Sequence, residues 1–328
     1  MIEKIKKLRL SKLFRNCYFL FAYDTRKELN ELREKIGEKH EEIQILKNKV
    51  LILNIFNYYH EFPELKKNLE TELSFLLNNS EDIIFPYKQI KKMDSVQSGY
   101  DSAKEMPYVV HHEKRLYFPK TYSCERAVWL YRNFIEKENL LGGNYTEKAP
   151  HQYETEDFCV QNGDVVLDIG AAEGLFALNA VDKAKKIYVI ESDIFWIEAL
   201  EATFEPYKNS VEIINTLISN SNTEHSITLS SILEKEQKSP IFVKMDIEGY
   251  EPDVIKESKT ILPKCVDIRL ACCTYHKQND GEELQQIFTS LGFDTEFSEG
   301  YMLFHLDELN PPYFRKGIIR ARNRIIKT

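Results

Sequence analysis

The sequence predicts an α/β protein: a mainly parallel sheet with helices on both faces and an antiparallel C-terminal hairpin, preceded by a helical N-terminal region. Three observations predict it. After Gly163, short apolar runs alternate with helical stretches, the rhythm of repeated strand–helix units. The first run, Val165 to Ile169, is broken only by Asp168, as in a strand buried on both faces. Upstream, residues 24–58 carry apolar side chains at steps of three and four, the pattern of a heptad seam.

In the N-terminal region (residues 1–80) the seam comprises Leu29, Leu32, Ile36, Ile43, Leu46, Val50 and Leu53, interrupted by Lys39. A second helical face follows Pro63, with Leu65, Leu69, Leu73 and Leu76. A dimeric coiled coil through residues 24–58 and an intramolecular helical hairpin both fit this pattern. Residues 81–144 are rich in Tyr, Pro and Lys. They hold the short apolar pieces Tyr108-Val109-Val110 and Leu116-Tyr117-Phe118, then a helical stretch over 125–140 that ends at Gly142-Gly143-Asn144. This region reads as a connection to the α/β part and as a wall beside it.

The strand–helix alternation occupies the next part of the chain. Strands are expected at 165–169, 187–190, 211–214, 241–245 and 267–273, and helices at 176–181, 194–204, 254–262 and 284–291. The segments Phe293 to Phe297 and Tyr301 to Phe304 are close enough in sequence to pair as the antiparallel hairpin. Residues 306–328 read as a basic tail.

A chain of 328 residues, 43% hydrophobic and 29% charged, has room for one ordinary domain and a substantial extra piece. The net charge of −8 argues against a nucleic-acid partner, because such proteins neutralise phosphates with a basic surface. The ends differ from the body. Lys4, Lys6, Lys7, Arg9, Lys12 and Arg15 face the single acid Glu3 in the first twenty residues, and no acid follows Glu308. Leu10, Leu13, Phe14, Cys17 and Phe21 would share a helical face beside those cations. That face suits either plain solvation or peripheral contact with an anionic membrane surface. The six cysteines have no metal-ligand spacing, and no apolar segment is long enough for a bilayer. The expectation is therefore a reduced cytoplasmic protein, with peripheral contact at the inner membrane face left open.

Two stretches carry the chemistry. Asp168-Ile169-Gly170-Ala171-Ala172-Glu173-Gly174 lies at the turn between the first strand and the following helix. It lacks the G-x-G-x-x-G spacing of a dinucleotide loop and begins with an acid, which would repel a pyrophosphate. S-adenosylmethionine carries an ammonium and a sulfonium and no phosphate, so an acidic loop suits it. Glu191, followed by Ser192, closes the second strand, where nucleotide-binding α/β folds hold ribose hydroxyls with a carboxylate. The cofactor candidates are thus Asp168, Gly170, Ala171, Glu173, Gly174, Glu191, Ser192 and Asp246. The second stretch, Lys244-Met245-Asp246-Ile247-Glu248-Gly249-Tyr250-Glu251, ends the fourth strand, and Lys244 and Asp246 share a face there. Acids favour helix N-termini, which accounts for Glu251 and less readily for an Asp at a strand tip.

The order DIGAAEG, VIES and FVKMDIEGYE resembles the FkbM family of S-adenosylmethionine-dependent methyltransferases. Thr228-Leu229 with the following Ser230-Ser231-Ile232-Leu233, Thr274-Tyr275-His276 and the Leu291-Gly292-Phe293 turn extend the likeness over about residues 145–305. The resemblance implies a class I methyltransferase (Rossmann-like) sheet of seven strands and transfer of methyl to a hydroxyl of a sugar, glycan or natural-product alcohol. It implies that Asp168, Gly170 and Gly174 shape the cofactor loop, Glu191 holds the ribose and Asp246 sits near the transferring methyl. Two departures stand out: Ala172 replaces the middle glycine of the broader methyltransferase loop, and Cys272-Cys273-Thr274 stands where an acid often follows the fifth strand.

Methyl transfer to an alcohol needs alignment of the acceptor oxygen and removal of its proton. Asp246 and His276 are the candidate bases, with Lys244 beside them. A divalent metal, if one takes part, would use Asp246 and Glu248. His151 and Tyr153, just ahead of the first strand, either close over the cofactor or pack as ordinary linker. Methylation of nitrogen or of a protein remains open from the residues alone. So does a non-catalytic cofactor-binding module whose helical N-terminus recruits partners.

Overall fold

The computed structural model describes residues 35, 39–90, 92–142, 148–304 and 309–323. The basic N-terminal stretch, the seam positions Leu29, Leu32 and Ile36, and the end of the basic tail lie outside them.

The chain enters through helix α1, over residues 39–61, which stops just ahead of Pro63. A 3₁₀ turn, Pro63–Lys66, leads to α2 (Glu70–Asn78). One face of α1, with Leu51, Ile55 and Tyr59, packs on Leu69, Leu73, Leu76 and Ile83 and on Leu303, Leu309, Tyr313 and Phe314 from far along the chain. The Tyr59 hydroxyl donates to the Pro312 carbonyl at 2.6 Å, fixing that contact. The helical pair is therefore a hairpin docked on the C-terminal part of the chain.

The connecting region is more ordered than its composition suggests. Strands β1 (Ser98–Asp101), β2 (Met106–His111) and β3 (Lys114–Tyr117) form an antiparallel sheet in that order. His112 and Glu113 turn β2 into β3 with φ of 45° and 66°, the left-handed pair of a two-residue hairpin. Helix α3 (Cys124–Arg132) starts where the Ser123 side chain accepts from the Arg126 amide, and continues into a π-helical turn, Asn133–Lys137.

From residue 165 the strand–helix alternation holds. Its elements are β4 (Val165–Ile169), α4 (Leu175–Ala180), β5 (Lys186–Ile190), α5 (Ile194–Phe204) and β6 (Val211–Ile214). A small parallel pair follows, β7 (Leu217–Ser219) with β8 (Ser226–Thr228), which the sequence pattern does not announce. Then come α6 (Leu229–Glu236), β9 (Pro240–Met245), α7 (Glu251–Glu257), β10 (Asp267–Cys273), α8 (Asp280–Ser290), β11 (Phe293–Phe297) and β12 (Ile318–Asn323). The expected helix over 254–262 is shorter and lies earlier, because 3₁₀ turns take over at Ser258–Thr260 and Leu262–Lys264.

Seven strands form one sheet in the order β11-β12-β10-β9-β4-β5-β6, and β12 runs antiparallel to both neighbours. This is the strand order of a class I methyltransferase sheet. The antiparallel partner of β11, however, is Ile318–Asn323 and not Tyr301 to Phe304. The expected tail thus supplies a strand, and the sheet continues past residue 305 to residue 323. Arg320 on β12 is buried, and donates to the carbonyls of Tyr153 and Gln152. A cation paired with two backbone carbonyls reads, in sequence, as part of a solvated charge run.

Strand alternation feeds two cores. Val166, Val189, Phe242 and Cys273 face a core completed by α4, α5 and the connecting region, including Val109, Leu116, Ala127 and Tyr131. Leu167, Ile190, Val243 and Cys272 face the other, against Leu233, Val254 and Phe288. The adjacent cysteines do point to opposite faces, and both are fully buried. No helix of the described residues is long and apolar enough to cross a membrane.

Candidate active site

Open α/β sheets bind ligands beyond the carboxyl ends of the strands, where the strand order reverses. Here that point lies between β4 and β9, which pair in parallel with Asp168 beside Lys244 and Ile169 beside Met245. The two informative stretches of sequence leave the sheet side by side. The Asp246 amide donates to the Ile169 carbonyl at 3.0 Å. Gly170 has φ +70°, and a Cβ there would lie 1.8 Å from the Asp246 carbonyl oxygen. Only glycine allows the two backbones this close. Gly174, φ +81°, leads into α4, where a Cβ would strike Leu200 and Phe204. Ala172, which replaces a glycine, takes the left-handed conformation at φ 46°.

Asp168 is fully buried. Its carboxylate accepts from the Ala177 amide at 3.1 Å and lies 3.2 Å from the Lys244 ammonium. That ammonium also donates to the Gly170 carbonyl at 2.5 Å. Burial works against the lysine's charge, but Asp168 and Asp246 outweigh it and raise its pKa. Asp168 and Lys244 thus brace the loop from beneath. Ala171 packs into the core, and Ser192 is exposed beside the strand end.

Glu191 closes β5. One carboxylate oxygen accepts from the Ala172 amide at 2.8 Å and the other from the Asp193 amide at 2.7 Å. A carboxylate oxygen accepts two hydrogen bonds, so each retains capacity for a hydroxyl. Glu173 is buried in the loop, and burial pushes its pKa up to about 8. With side chains absent at Gly170 and Gly174 and the Glu191 carboxylate able to accept from hydroxyls, the residues present fit a nucleoside without phosphate, such as S-adenosylmethionine.

Asp246 is the hub. Its carboxylate accepts from the hydroxyls of Tyr153 (3.0 Å) and Tyr275 (3.2 Å) and lies 3.3 Å from His276 Nε2. Both tyrosine oxygens also lie 3.2 Å from His151 Nε2. Burial alone would raise the Asp246 pKa. His151, whose Nε2 lies 3.9 Å from the carboxylate, and the charges of Lys244 and His276 outweigh it and hold the carboxyl well below the usual range. The side chains of His151 and His276 are 4% and 3% exposed, against 23% for Asp246 and 74% for Glu248. Asp246 is therefore the member of the hub that meets the outside.

His276 lies between carboxylates. Nε2 faces Asp246 and, at 3.6 Å, Glu248, while Nδ1 lies 3.3 Å from Glu251. Burial lowers the pKa of a histidine, but Glu251, Asp246 and Glu248 outweigh that and raise it above 6.5. Among the described residues, two groups have metal-ligand proximity, His151–Asp246–Cys273 and Asp246–Glu251–His276. In the first, burial pushes the Cys273 thiol well above its ordinary range, whereas a metal needs the thiolate. In the second, opposite ring nitrogens of His276 face the two carboxylates, an arrangement that suits an imidazolium better than a shared ion.

The structure brings His151 and Tyr153 to Asp246, so they are more than linker packing. Sequence pattern gives neither Tyr275 nor Glu251 a part in the site, although both adjoin residues it singles out. It misses Glu138 altogether. Glu138 follows the π-helical turn of the connecting region and accepts from the Asn133 side chain. Burial raises its pKa and the charge of Asp246 raises it further, while His151 acts in the opposite direction. No motif marks Glu138, because its place depends on how α3 packs.

A family model described as the methyltransferase FkbM domain matches residues 218–295, from β7 to β11 and including the Asp246 stretch and His276. No curated protein matches the chain in sequence. Among solved structures, a precorrin-6y C5,15-methyltransferase from Geobacter metallireducens is 13% identical. That match covers 50% of this chain and 81% of the other, with a TM-score of 0.34. Trm5b from Pyrococcus abyssi is 15% identical, covering 66% of this chain and 56% of its own, with a TM-score of 0.36. The YcgJ protein from Bacillus subtilis is 11% identical over 50% and 93%, with a TM-score of 0.34.

Proposed function

We propose that this chain is an S-adenosylmethionine-dependent O-methyltransferase acting on a hydroxyl of a sugar, glycan or natural-product alcohol. The FkbM match supports methyl transfer, and S-adenosylmethionine supplies an electrophilic methyl when bound. The observation that carries the choice of oxygen is His276, set between Asp246 and Glu251 at the tips of β9 and β10. An amine attacks with its own lone pair, whereas an alcohol needs a proton acceptor within reach in the transition state. A histidine made more basic by flanking carboxylates meets that need.

Asp246 itself is a poor base, because the groups around it stabilise its charged form. In this reading the acceptor hydroxyl donates to the Asp246 carboxylate, which aims its oxygen, and the proton passes through that carboxylate to the neutral form of His276, whose Nε2 lies 3.3 Å away. Lys244 and Asp168 keep the cofactor loop in place and touch neither reacting atom. Glu191 would hold the ribose hydroxyls. Outside the hub, Glu248 and Tyr250 are exposed at the mouth, a polar group and an aromatic face suited to a sugar ring. Because the proton has a protein acceptor, this reading needs no metal.

The test is transfer of label from methyl-labelled S-adenosylmethionine to pools of glycans and small alcohols, with and without chelator. Label in an alkali-stable ether, undiminished by chelator, is the expected result. Label recovered on nitrogen would replace the O-methyl reading, and loss of activity with chelator would return the proton to a metal-bound acceptor.

A further inference from the structure

We propose that the outer face of α1 is a homodimer interface, and that two copies of this chain join through a parallel two-stranded coiled coil. The helix has two apolar faces with different fates. Leu51, Ile55 and Tyr59 are 7%, 0% and 4% exposed, sealed against the body of the chain. Ile43, Leu46, Val50 and Leu53 are 51%, 61%, 58% and 62% exposed. The hairpin packing therefore consumes one face and leaves the heptad face open to solvent. Four large aliphatic side chains in one stripe are an interaction surface and not scattered exposure.

The identities of these residues name the occupant. Written as a heptad, Ile43 and Val50 take the a positions and Leu46 and Leu53 the d positions. β-branched residues at a with leucine at d favour two parallel strands. Upstream in the sequence the register continues with Leu29 and Ile36 at a and Leu32 and Lys39 at d. The flanking charges agree. In a parallel dimer a g residue meets the e residue five positions on in the partner, which sets Glu42 against Lys47 of the second copy and the reverse. Glu28 and Arg33 repeat that spacing in sequence. An antiparallel pair would instead oppose e with e and g with g, so that Glu42 would face Lys35 or Lys49 but Lys47 would meet no acid among His40, Lys47 and Asn54; only the parallel pair complements both Glu42 and Lys47. The other face of α1, docked on Leu303, Leu309 and Phe314, holds this part of the helix in place before a partner arrives. Less ordering entropy is then lost than for two free peptides.

Sedimentation equilibrium of the full chain reads the outcome. The wild type should sediment as a dimer at tens of micromolar, and the double substitution Leu46→Glu with Val50→Glu as a monomer. Because both positions are exposed in the single chain, the melting temperature should fall only by what the lost dimer contact contributes, to that of the wild type diluted until it dissociates. Charge exchange tests the register. Glu42→Lys or Lys47→Glu alone should weaken the dimer about threefold to tenfold, as expected for exposed ion pairs made twice, and the two together should restore it. Orientation is read by Leu46→Cys under mild oxidation, with the wild type as control. A parallel in-register pair brings the two copies' d positions within disulfide reach, so a covalent dimer is expected. A wild type that is monomeric at 100 μM, a trimer or larger assembly, charge exchange without rescue, or absence of that covalent dimer would each overturn the proposal.

Discussion

Gly170→Ala isolates the contact on which the site is built. At φ +70° an alanine carries the left-handed penalty, roughly 1–2 kcal/mol. Its Cβ would also lie 1.8 Å from the Asp246 carbonyl oxygen, a backbone atom with no rotamer to escape through. Forcing such an overlap costs about a further 1–3 kcal/mol in shifted backbone. Gly163 is the matched control, with φ +90° and nothing within 4 Å of where a Cβ would stand, so Gly163→Ala meets the conformational penalty alone. At about 2–4 °C per kcal/mol for a domain of this size, Gly163→Ala should lower the melting temperature by roughly 2–8 °C and Gly170→Ala by roughly 4–20 °C. The second readout decides the matter. Relieving the clash pushes the loop from β9, which disturbs both the Gly170 carbonyl held by Lys244 and the Asp246 hub. Calorimetry with S-adenosylhomocysteine should therefore show near wild-type affinity for Gly163→Ala and at least a tenfold loss for Gly170→Ala. Equal stability of the two variants together with unimpaired binding by Gly170→Ala would refute the close approach of β4 and β9 as the basis of the site.

The remaining predictions concern charge. Asp168→Asn leaves the Lys244 ammonium buried beside a neutral partner and should cost about 3–5 kcal/mol in urea unfolding; a loss below about 1 kcal/mol would show that the pair does not brace the loop. Asp246→Asn should lower turnover by about 10²–10⁴ with a much smaller change in cofactor affinity, and His276→Ala should fall in the same range. If Asp246→Asn keeps near wild-type turnover, the hub is not the reacting site. Activity should rise with pH as His276 loses its proton, with an apparent pKa above 6.5, and Glu251→Gln should move that limb to lower pH. An unmoved limb would assign the titration elsewhere. Glu173 has a folded pKa of about 8 against an ordinary 4.5, so the native state holds a proton that the unfolded chain releases. Stability should decline as pH rises from about 4.5 to 8, and Glu173→Gln should flatten that decline; an unchanged slope would contradict the burial of its carboxyl.

Much of the sheet is legible in the sequence because its strands are buried on both faces and therefore read as continuous apolar runs, as at Val165 to Ile169 and Ile241 to Met245. Strand β12 escapes that logic. Arg320 is buried but satisfied by two backbone carbonyls, and it lies in a stretch that composition marks as tail. The β2–β3 hairpin escapes for a different reason. Its turn is His112-Glu113, without the Asn-Gly or Gly that announces a left-handed pair, so the surrounding sheet imposes a conformation that the residues do not prefer. In the site, Asp246 stands out locally as a charged residue at the tip of an apolar strand, and His276 by its place after β10. The part of each is set by contacts across 93 and 29 residues of chain, from Tyr153 and Tyr275 to Asp246. Spacing along one strand shows neither the cations gathered around Asp246 nor the carboxylates that flank His276. The heptad seam is legible as a seam. Only the packing of α1 separates the face that closes the hairpin from the face left open.

The loop between Asp168 and Gly174, with Glu191, should select S-adenosylmethionine over a dinucleotide. Titration calorimetry on the full chain tests it most directly. S-adenosylhomocysteine should bind with one site per chain, and NAD should show no comparable heat. Glu191→Ala should weaken S-adenosylhomocysteine by about 1.5–3 kcal/mol for each charged hydrogen bond lost, with the fold intact. Tight NAD binding with no response to S-adenosylhomocysteine would contradict the account.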